Sequence, residues 1–350
     1  MSERIKKLQL ILKEKRLDAF LVTNSTNASY LTDIRSEDSW LLVCVDRSFY
    51  LTDPRYELYA KKWLNEVYVK ITKDSLYSLV SKIAFKRRLH KIGIDEKHLN
   101  LWQYRKLRQS LVGISKLINA TGLVEALREV KDQYEIKLIR KALKIHKLAN
   151  VFLHRIIEKG KREKDVLCEL EGFIKERVDG FSFPPIIASG INSCYPHAKV
   201  TQRRIKANDV ILVDMGVDIG GYKSDLTRMF FLGKIPPLIQ EIFSIVRDAQ
   251  KEAISAIKEG VFCSDVDRVA RNYLRKNKLD KYFIHSLGHG IGLEIHESPY
   301  LSQKSNAELK EGMVLTVEPG VYIPNKFGIR IEDMVLVTKD GCEVLSDDID

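Results

Sequence analysis

The chain of 350 residues has 45% hydrophobic residues and a formal net charge of +11, so it is long enough to bury sizeable cores and to form two domains. No run of about 18 apolar residues indicates a membrane span, and the charged start lacks the apolar core of a signal peptide. A cytoplasmic protein is therefore expected, and the five scattered cysteines argue against a disulfide framework.

The basic excess lies in the first third of the chain. Residues 1–123 hold 23 Lys and Arg against 13 Asp and Glu, whereas residues 124–350 hold 35 against 34. The charges are dispersed, without the basic and aromatic ladder typical of single-strand nucleic-acid binding. They indicate a solvated surface, which a partner subunit or an acidic substrate could also use, and no nucleic-acid partner is expected.

Helical and strand patterns alternate over the first 84 residues and predict a small α/β layer. The predicted elements are a helix at 4–15, a strand at 19–23, a hairpin at 40–45 and 48–52, a helix at 56–63, a strand at 67–71 and a helix at 75–84. A long amphipathic helix is predicted at 131–158. The domain boundary is placed just before it, between residues 123 and 124.

Two aspartates lie on predicted neighbouring strands in the second domain. Asp214 stands at the polar end of a short β run, and Asp225 lies on the next strand, two residues from Thr227 and therefore on the same face. The segment Asp218-Ile-Gly-Gly between the runs indicates a hairpin turn. Two carboxylates brought together repel each other, so the pair needs a cation.

Three further candidate ligands follow a second predicted helical pair, at 237–258 and 264–276. His289 stands between glycines that permit close approach to a buried centre. Glu318 ends an apolar strand that stops at Pro319-Gly320, and one strand over 329–337 is predicted to place Arg330 and Glu332 on one face. Such a carboxylate-rich site with one imidazole suits two divalent ions, Mn²⁺ or Co²⁺, with Zn²⁺ as an alternative.

The five candidate ligands, in this order and with these surroundings, resemble those of the pita-bread metallopeptidases, the family of methionine aminopeptidase, aminopeptidase P and prolidase. Residues 183–193, 195–198, 222–228 and 295–299 resemble its Xaa-Pro branch, and residues 50–56 are similar to the creatinase and prolidase N-terminal domain. The resemblance implies an α+β fold. A smaller creatinase-like α/β domain, 1–123, would precede a pita-bread catalytic domain, 124–350, with helices on a curved antiparallel sheet, an internal duplication and a homodimer.

The resemblance also implies roles for single residues. Asp214 would bind one metal ion, Asp225 and Glu332 would bridge both, and His289 with Glu318 would bind the other, so that a hydroxide shared by the two ions attacks the scissile bond. Glu318 would act as general base. His197 and His296 would bind the substrate carbonyl or the tetrahedral intermediate, His285 would shape the leaving-group pocket, and Arg330 would orient a ligating carboxylate.

The first domain favours the Xaa-Pro branch, with proline-containing peptides as substrates. Some prolidases are thought to hold a terminal carboxylate with an Arg shortly after the His-Glu pair, where this chain has Ser298-Pro299-Tyr300. An aminopeptidase P-like enzyme is therefore the leading prediction, and an Xaa-Pro dipeptidase is the alternative. A metal-free creatinase-type hydrolase and a non-catalytic binding module are less favoured, because the chain retains the whole ligand set.

Overall fold

The computed structural model describes residues 3–347 and 349, and the chain divides into two compact units, Met1–Arg128 and Glu129–Asp350. The boundary predicted between residues 123 and 124 falls at the start of a helix, Leu123–Glu129, in which the two units also meet along the chain. The exact domain limits stay a prediction. Within the described residues, no helix combines the length and the apolar character needed to cross a membrane.

The first unit contains one mixed sheet. Its strands are β1 (Ala19–Val22), β2 (Trp40–Cys44), β3 (Ser48–Thr52), β4 (Tyr68–Ile71), β5 (Lys91–Ile94) and β6 (Lys116–Asn119), in the order β4-β3-β2-β1-β5-β6. Its helices are α1 (Glu3–Glu14), α2 (Ser25–Thr32), α3 (Glu57–Trp63), α4 (Leu76–Arg87), α5 (Leu101–Ser110) and α6 (Leu123–Glu129). The predicted hairpin is confirmed, because β2 and β3 pair antiparallel.

The second unit has two pairs of helices, each followed by strands. The helices are α7 (Gln133–Ile156), α8 (Glu163–Lys175), α9 (Pro237–Ser255) and α10 (Cys263–Lys276). The strands are β7 (Gly180–Phe181), β8 (Ile186–Ser189), β9 (Val210–Met215), β10 (Val217–Ile219), β11 (Tyr222–Lys223), β12 (Leu226–Phe231), β13 (Gly288–Gly290), β14 (Glu297–Leu301), β15 (Val314–Val317), β16 (Gly320–Ile323), β17 (Phe327–Arg330), β18 (Asp333–Val337) and β19 (Cys342–Val344).

All strand pairs of the second unit are antiparallel within the described residues. The sheets run β12-β9-β8, β11-β10-β7, β14-β13-β15-β18-β19 and β16-β17. The helices bury their apolar faces against these strands, α7 and α8 with β8 and β9, and α9 and α10 with β15 and β17. Covering one face with helices leaves the other face of the strands available for a site.

The two halves of the second unit repeat the same backbone contacts. In the first half Gly160 donates its N–H to the carbonyl of Ile205, and in the second half Gly260 donates to Leu309, both at 2.9 Å. The first contact joins the segment before α8 to the segment before β9. The second joins the segment before α10 to the segment before β15. This repetition is what an internally duplicated architecture requires.

The single strand predicted over 329–337 is wrong. The chain forms β17 and β18, which belong to different sheets, and Ile331-Glu332 lies between them. The reason is local: the N–H of Glu332 donates to the carbonyl of Thr227 at 3.3 Å, and the carbonyl of Glu332 accepts from the Arg228 guanidinium. These partners replace the ladder bonds, so the backbone can leave one sheet and enter the next.

Candidate active site

A cavity of ≈ 370 Å³ in the second unit collects all of the site residues predicted from the sequence. Its lining contains Phe183, Ile186, Pro196, His197, Asp214, Asp225, His285, Ser286, His289, Ile295, His296, Tyr300, Glu318, Arg330 and Glu332. The lining therefore combines apolar side chains with four carboxyl groups and four imidazoles. Both halves of the duplicated unit contribute to it.

The two aspartates reach the cavity from neighbouring strands, as predicted. Asp214 in β9 lies directly opposite Thr227 in β12, and Asp225 precedes the first residue of β12. Between them β10 and β11 form a hairpin whose two turn residues, Gly220 and Gly221, have φ of 60° and 87°. A two-residue turn with φ positive at both positions favours glycine, so this sequence fixes the register that brings the aspartates together.

Asp214 and Glu318 occupy equivalent positions in the two halves. Asp214 stands nine residues after Ile205 and Glu318 nine residues after Leu309, the two residues whose carbonyls accept the repeated backbone bonds. The duplication therefore delivers one carboxyl from each half to the cavity.

The glycines around His289 let the backbone pack closely, as predicted. A Cβ at Gly288 would lie 2.0 Å from the carbonyl oxygen of Thr316, and one at Gly290 would lie 2.4 Å from that of Ser298. His289 Nδ1 lies 3.0 Å from the carbonyl oxygen of Gly290, and a carbonyl can only accept, so Nδ1 carries the proton. Nε2 is then the unprotonated nitrogen.

The unprotonated nitrogen of His289 faces carboxylates. His289 Nε2 lies 3.4 Å from Glu318 Oε1 and 3.7 Å from Asp225 Oδ2. One ligand atom each of Asp225, His289 and Glu332 lie within 4.8 Å of one another. A lone pair and several carboxylate oxygens thus converge on one small volume.

Burial shifts the pKa values of the ionisable groups in this cluster towards their neutral forms. Burial, with repulsion between neighbouring carboxylates, raises the pKa of Asp225 and Glu332 well above the ordinary carboxyl value. Burial raises the pKa of Glu318 to about 8 and lowers that of His289 to about 4. Neighbouring ionisable groups whose pKa values are shifted away from the charged form are typical of functional sites.

Arg330 supplies the positive charge of this cluster. Its Nη2 donates to Asp214 Oδ2 at 2.7 Å, its Nη1 to the hydroxyl of Tyr322 at 2.7 Å and to the carbonyl of Pro196 at 3.1 Å, and its Nε to the hydroxyl of Thr227 at 2.9 Å. The guanidinium is buried, with 3% of the residue exposed. With all its nitrogens donating, it orients the groups around it and is fixed by them.

Thr227 extends the reach of Arg330 to a second carboxylate. Its hydroxyl accepts from Arg330 Nε, so its own proton is available to Glu332 Oε2, which lies 2.8 Å away. Tyr222 behaves differently, because its hydroxyl donates to Glu135 of α7, away from the cavity. Thr227 therefore supports the carboxyl cluster directly.

His285 is held by a hydrogen-bonded chain that sequence reasoning missed. Its Nδ1 lies 2.8 Å from the carbonyl of Ser286, so Nδ1 carries the proton, and Nε2 accepts from the Tyr322 hydroxyl at 3.1 Å. Tyr322 in turn accepts from Arg330. The signal in the sequence was weak, since a tyrosine in the apolar run Gly320-Val-Tyr-Ile indicates a packing residue.

The remaining two histidines stand beside the cluster. The ring of His296 meets that of His289 edge to face, with the centroids 4.4 Å apart, and burial lowers its pKa. His197 is exposed and lines the cavity mouth. Both imidazoles can therefore reach a molecule in the cavity.

The residues present fit divalent metal ions. Asp214 Oδ1 is buried and has no hydrogen-bond partner within the described residues, although a buried carboxylate oxygen needs a donor or a cation. The donor set of carboxylate oxygens and one imidazole nitrogen is the kind that hard and borderline ions select. We conclude that Asp214, Asp225, His289, Glu318 and Glu332 could hold such ions together.

A second cluster, Asp95, His98 and Glu125, lies in the first unit but has the wrong proton arrangement for a metal. The oxygen of Asn24 accepts from the N–H of Asn27, so its amide nitrogen faces His98 Nδ1, at 3.1 Å. Nδ1 is thus the acceptor, and the proton is on Nε2, which donates to Glu125 at 2.8 Å. His98 and Glu125 are therefore a hydrogen-bonded pair, and the cluster is not read as a metal site.

Two family descriptions match the chain. Residues 137–339 match Metallopeptidase family M24, and residues 4–130 match the Creatinase/Prolidase N-terminal domain. Members of family M24 use divalent metals.

Relatives cover the whole length of the chain. It is 34% identical to the Xaa-Pro dipeptidase of Pyrococcus furiosus over 99% of this chain and 98% of that protein. Its structure is similar to those of an Xaa-Pro dipeptidase from Bacillus anthracis (TM-score 0.95, 33% identity, 99% of this chain and 97% of that one) and an X-Pro aminopeptidase from Thermotoga maritima (TM-score 0.87, 34% identity, 95% and 97%).

Proposed function

The chain belongs to metallopeptidase family M24, and from this premise we propose that it hydrolyses the peptide bond before proline, releasing the N-terminal residue of Xaa-Pro peptides. The proposal is carried by one observation: a cavity lined by four buried or half-buried carboxyl groups, into which the unprotonated nitrogen of His289 faces. The names of the full-length relatives support the choice of the Xaa-Pro bond.

In the proposed site, Asp214, Asp225, His289, Glu318 and Glu332 hold two divalent ions, Mn²⁺ or Co²⁺ in preference to Zn²⁺. Asp225 and Glu332 would be the shared ligands, Asp214 would serve one ion, and His289 with Glu318 would serve the other. Bound there, the ions would lower the pKa of a water molecule and polarise the scissile carbonyl.

The protein's own groups perform the remaining steps. Glu318 accepts the proton of the attacking water at a carboxylate oxygen and passes it to the leaving proline nitrogen. His197 and His296 donate hydrogen bonds to the carbonyl oxygen as it gains negative charge. His285, held by Tyr322, shapes the leaving-group side, and Arg330 keeps Asp214 and Glu332 in orientation.

The charge pattern of the cavity favours action on peptides longer than two residues. A dipeptidase must hold the carboxylate of the terminal proline, which arginine does best. Among the described residues that line the cavity, Arg330 is the sole arginine or lysine, and it is engaged with Asp214, Tyr322 and Thr227. The segment after the His-Glu pair presents Tyr300 to the cavity. We therefore propose an aminopeptidase P-like enzyme.

Dipeptidase action is the second candidate, because two of the three relatives described above are named Xaa-Pro dipeptidases. A metal-free hydrolase and a binding module are less favoured, since the partnerless oxygen of Asp214 and the tautomer of His289 both suit metal binding. The cytoplasmic location and the homodimer expected from the sequence stay predictions.

The test is hydrolysis of Leu-Pro and of Leu-Pro-Pro by the purified chain after Mn²⁺ or Co²⁺ loading, with and without a chelator. Chelator-sensitive release of leucine from both peptides is the expected result. Cleavage of Leu-Pro alone would identify a dipeptidase. Cleavage of neither peptide by fully metal-loaded protein would contradict the proposed Xaa-Pro activity.

A further inference from the structure

Glu163, the first residue of α8, is a fully buried acidic residue outside the cavity lining. Its Oε1 accepts from the N–H and the hydroxyl of Ser189, both at 2.7 Å, and its Oε2 accepts from the N–H and the hydroxyl of Thr201, at 3.0 and 2.6 Å. Asn192 Nδ2 lies 3.1 and 3.2 Å from the two oxygens. A buried carboxyl with this many donors holds all of them in place.

These donors stand at the two ends of one segment, residues 189–201, which we call the histidine loop. The N–H of Lys164 also donates to the carbonyl of Thr201, at 3.2 Å, so the first turn of α8 holds that end by backbone and side chain. Both ends of the loop are thereby tied to one helix.

The middle of the histidine loop reaches the active-site cavity. The carbonyl of Pro196 accepts from Arg330 Nη1 at 3.1 Å, and His197 lines the cavity. Because His197 is exposed, the position of its ring depends on the backbone that carries it rather than on packing around it. Glu163 sets the course of that backbone.

The other half of the duplicated unit contains a comparable arrangement. Asp267 of α10 is fully buried, accepts from the N–H of Leu287 at 3.1 Å and pairs with Arg271, whose guanidinium donates to the carbonyl of His285. In both halves a buried acidic residue near the start of a helix thus fixes the segment that brings a histidine to the cavity.

We propose that Glu163 is a positioning residue that acts through His197, by fixing the histidine loop at both ends. The inference rests on the substrate role of His197 in the proposed function. A catalytic group displaced by about 1 Å can lower the rate by about 100-fold. A substitution of Glu163 therefore displaces His197 and lowers the rate, although Glu163 itself does not contact the substrate.

The experiment compares Glu163→Gln, which keeps the shape but turns an acceptor into a donor, with Glu169→Gln on the exposed side of the same helix, where the carboxyl pairs with Lys161. The readouts are kcat and KM for the best of the Xaa-Pro peptides, metal content and thermal unfolding. We expect Glu163→Gln to lower kcat/KM by about 10- to 100-fold with unchanged metal content, and Glu169→Gln to match the wild type.

A double-mutant cycle separates positioning from a purely structural role. If Glu163 acts through His197, then Glu163→Gln added to His197→Ala lowers kcat/KM no further, and both single variants divide their losses between kcat and KM in the same way. Additive losses in the cycle would overturn the inference. If Glu163→Gln does not fold, Asn192→Ala removes one donor from the same network and is expected to give a smaller loss that again vanishes beside His197→Ala.

Failure of the underlying function has a different signature. Wild-type activity in His197→Ala would remove the substrate role of His197, and the inference with it. A loss in His197→Ala that simply adds to the loss in Glu163→Gln would leave the function standing and reject the positioning role alone.

Discussion

Asp214 and Glu332 come from different halves of the second unit but are oriented by the same guanidinium. Arg330 donates directly to Asp214 and reaches Glu332 through the hydroxyl of Thr227. The two carboxylates, both proposed metal ligands, therefore share a single rigid support. Disturbing that support at any point should affect both.

Thr227→Val removes the hydroxyl while keeping the shape of the side chain. Glu332 Oε2 then loses its donor at 2.8 Å and Arg330 Nε loses its acceptor at 2.9 Å, so the carboxylate is no longer held in place. We expect metal affinity, measured by titration calorimetry with Mn²⁺, to fall by about 10- to 100-fold.

Thr227→Ser is the matched control, because it keeps the hydroxyl and removes only a methyl group. Its metal affinity should stay close to that of the wild type. Equal losses in the valine and serine variants would mean that the methyl group, and not the hydrogen-bonded relay, supports Glu332.

Asp225→Asn should stabilise the metal-free protein and remove the stabilisation that metal gives. Burial and repulsion from Glu332 and Asp214 raise the pKa of Asp225, and a neutral amide relieves that repulsion. Metal bound at a hundredfold excess over its Kd stabilises a wild-type site by about 2.7 kcal/mol. Thermal unfolding of both proteins, with a chelator and with excess Mn²⁺, measures the two effects.

The bridging role of Asp225 would be wrong if the asparagine variant bound two equivalents of metal and kept full activity. A metal-free variant less stable than the metal-free wild type would show instead that the charge of Asp225 is already compensated within the protein.

Gly288→Ala should destabilise the fold, because the new Cβ would lie 2.0 Å from a carbonyl oxygen in the neighbouring strand β15. The backbone must shift, and we expect a loss of at least about 1–3 kcal/mol in the free energy of unfolding. Gly172→Ala on α8 is the opposite case: nothing lies within 4 Å of its Cβ, and a gain of about 0.5–1 kcal/mol is expected. Urea unfolding of the two variants should give opposite signs.

His146 should make the protein sensitive to mild acid. It lies buried on α7 with its Nδ1 3.3 Å from the hydroxyl of Ser224, and burial, with repulsion from Arg228, lowers its pKa from 6.5 to about 3. As the pH falls below 6.5, His146 is protonated in the unfolded chain but stays neutral in the folded protein, so the free energy of unfolding decreases. The loss between pH 7.5 and 5 is about 2 kcal/mol from this one group.

His146→Gln removes this contribution and should flatten the dependence of the unfolding free energy on pH over that interval. His154→Gln, on the exposed side of the same helix, controls for the general effect of losing an imidazole. If the glutamine variant at 146 kept the wild-type slope, the acid sensitivity would originate elsewhere.

The placement of the candidate ligands was largely predictable because they sit on strands or directly beside strand ends, where side chains alternate with a period of two. Asp214, Asp225 and Glu318 each stand at or beside the end of an apolar run, where alternation assigns the face and turn residues assign the end. The glycines beside His289 were also readable, since their lack of a side chain has a direct steric meaning. These are local signals, and the cavity formed where they predicted.

The supporting residues could not be predicted, because their partners are distant in sequence. Tyr322 meets Arg330 through the register of the hairpin β16–β17, and His285 through a contact with another part of the fold. Glu163 reads as an ordinary acidic residue in the first turn of a helix. The break at Ile331-Glu332 carries no glycine or proline, and it exists because the backbone carbonyl of Thr227 and the guanidinium of Arg228 replace the ladder bonds.

The duplication also fixes the order in which the carboxylate cluster comes into being. Asp214 and Asp225 are made with the first half, while His289, Glu318 and Glu332 are made with the second. During synthesis, Asp214 and Asp225 therefore leave the ribosome before the other two carboxylates and before Arg330. The full set of four carboxyl groups, with Arg330 to orient two of them, is therefore assembled only when the second half folds against the first.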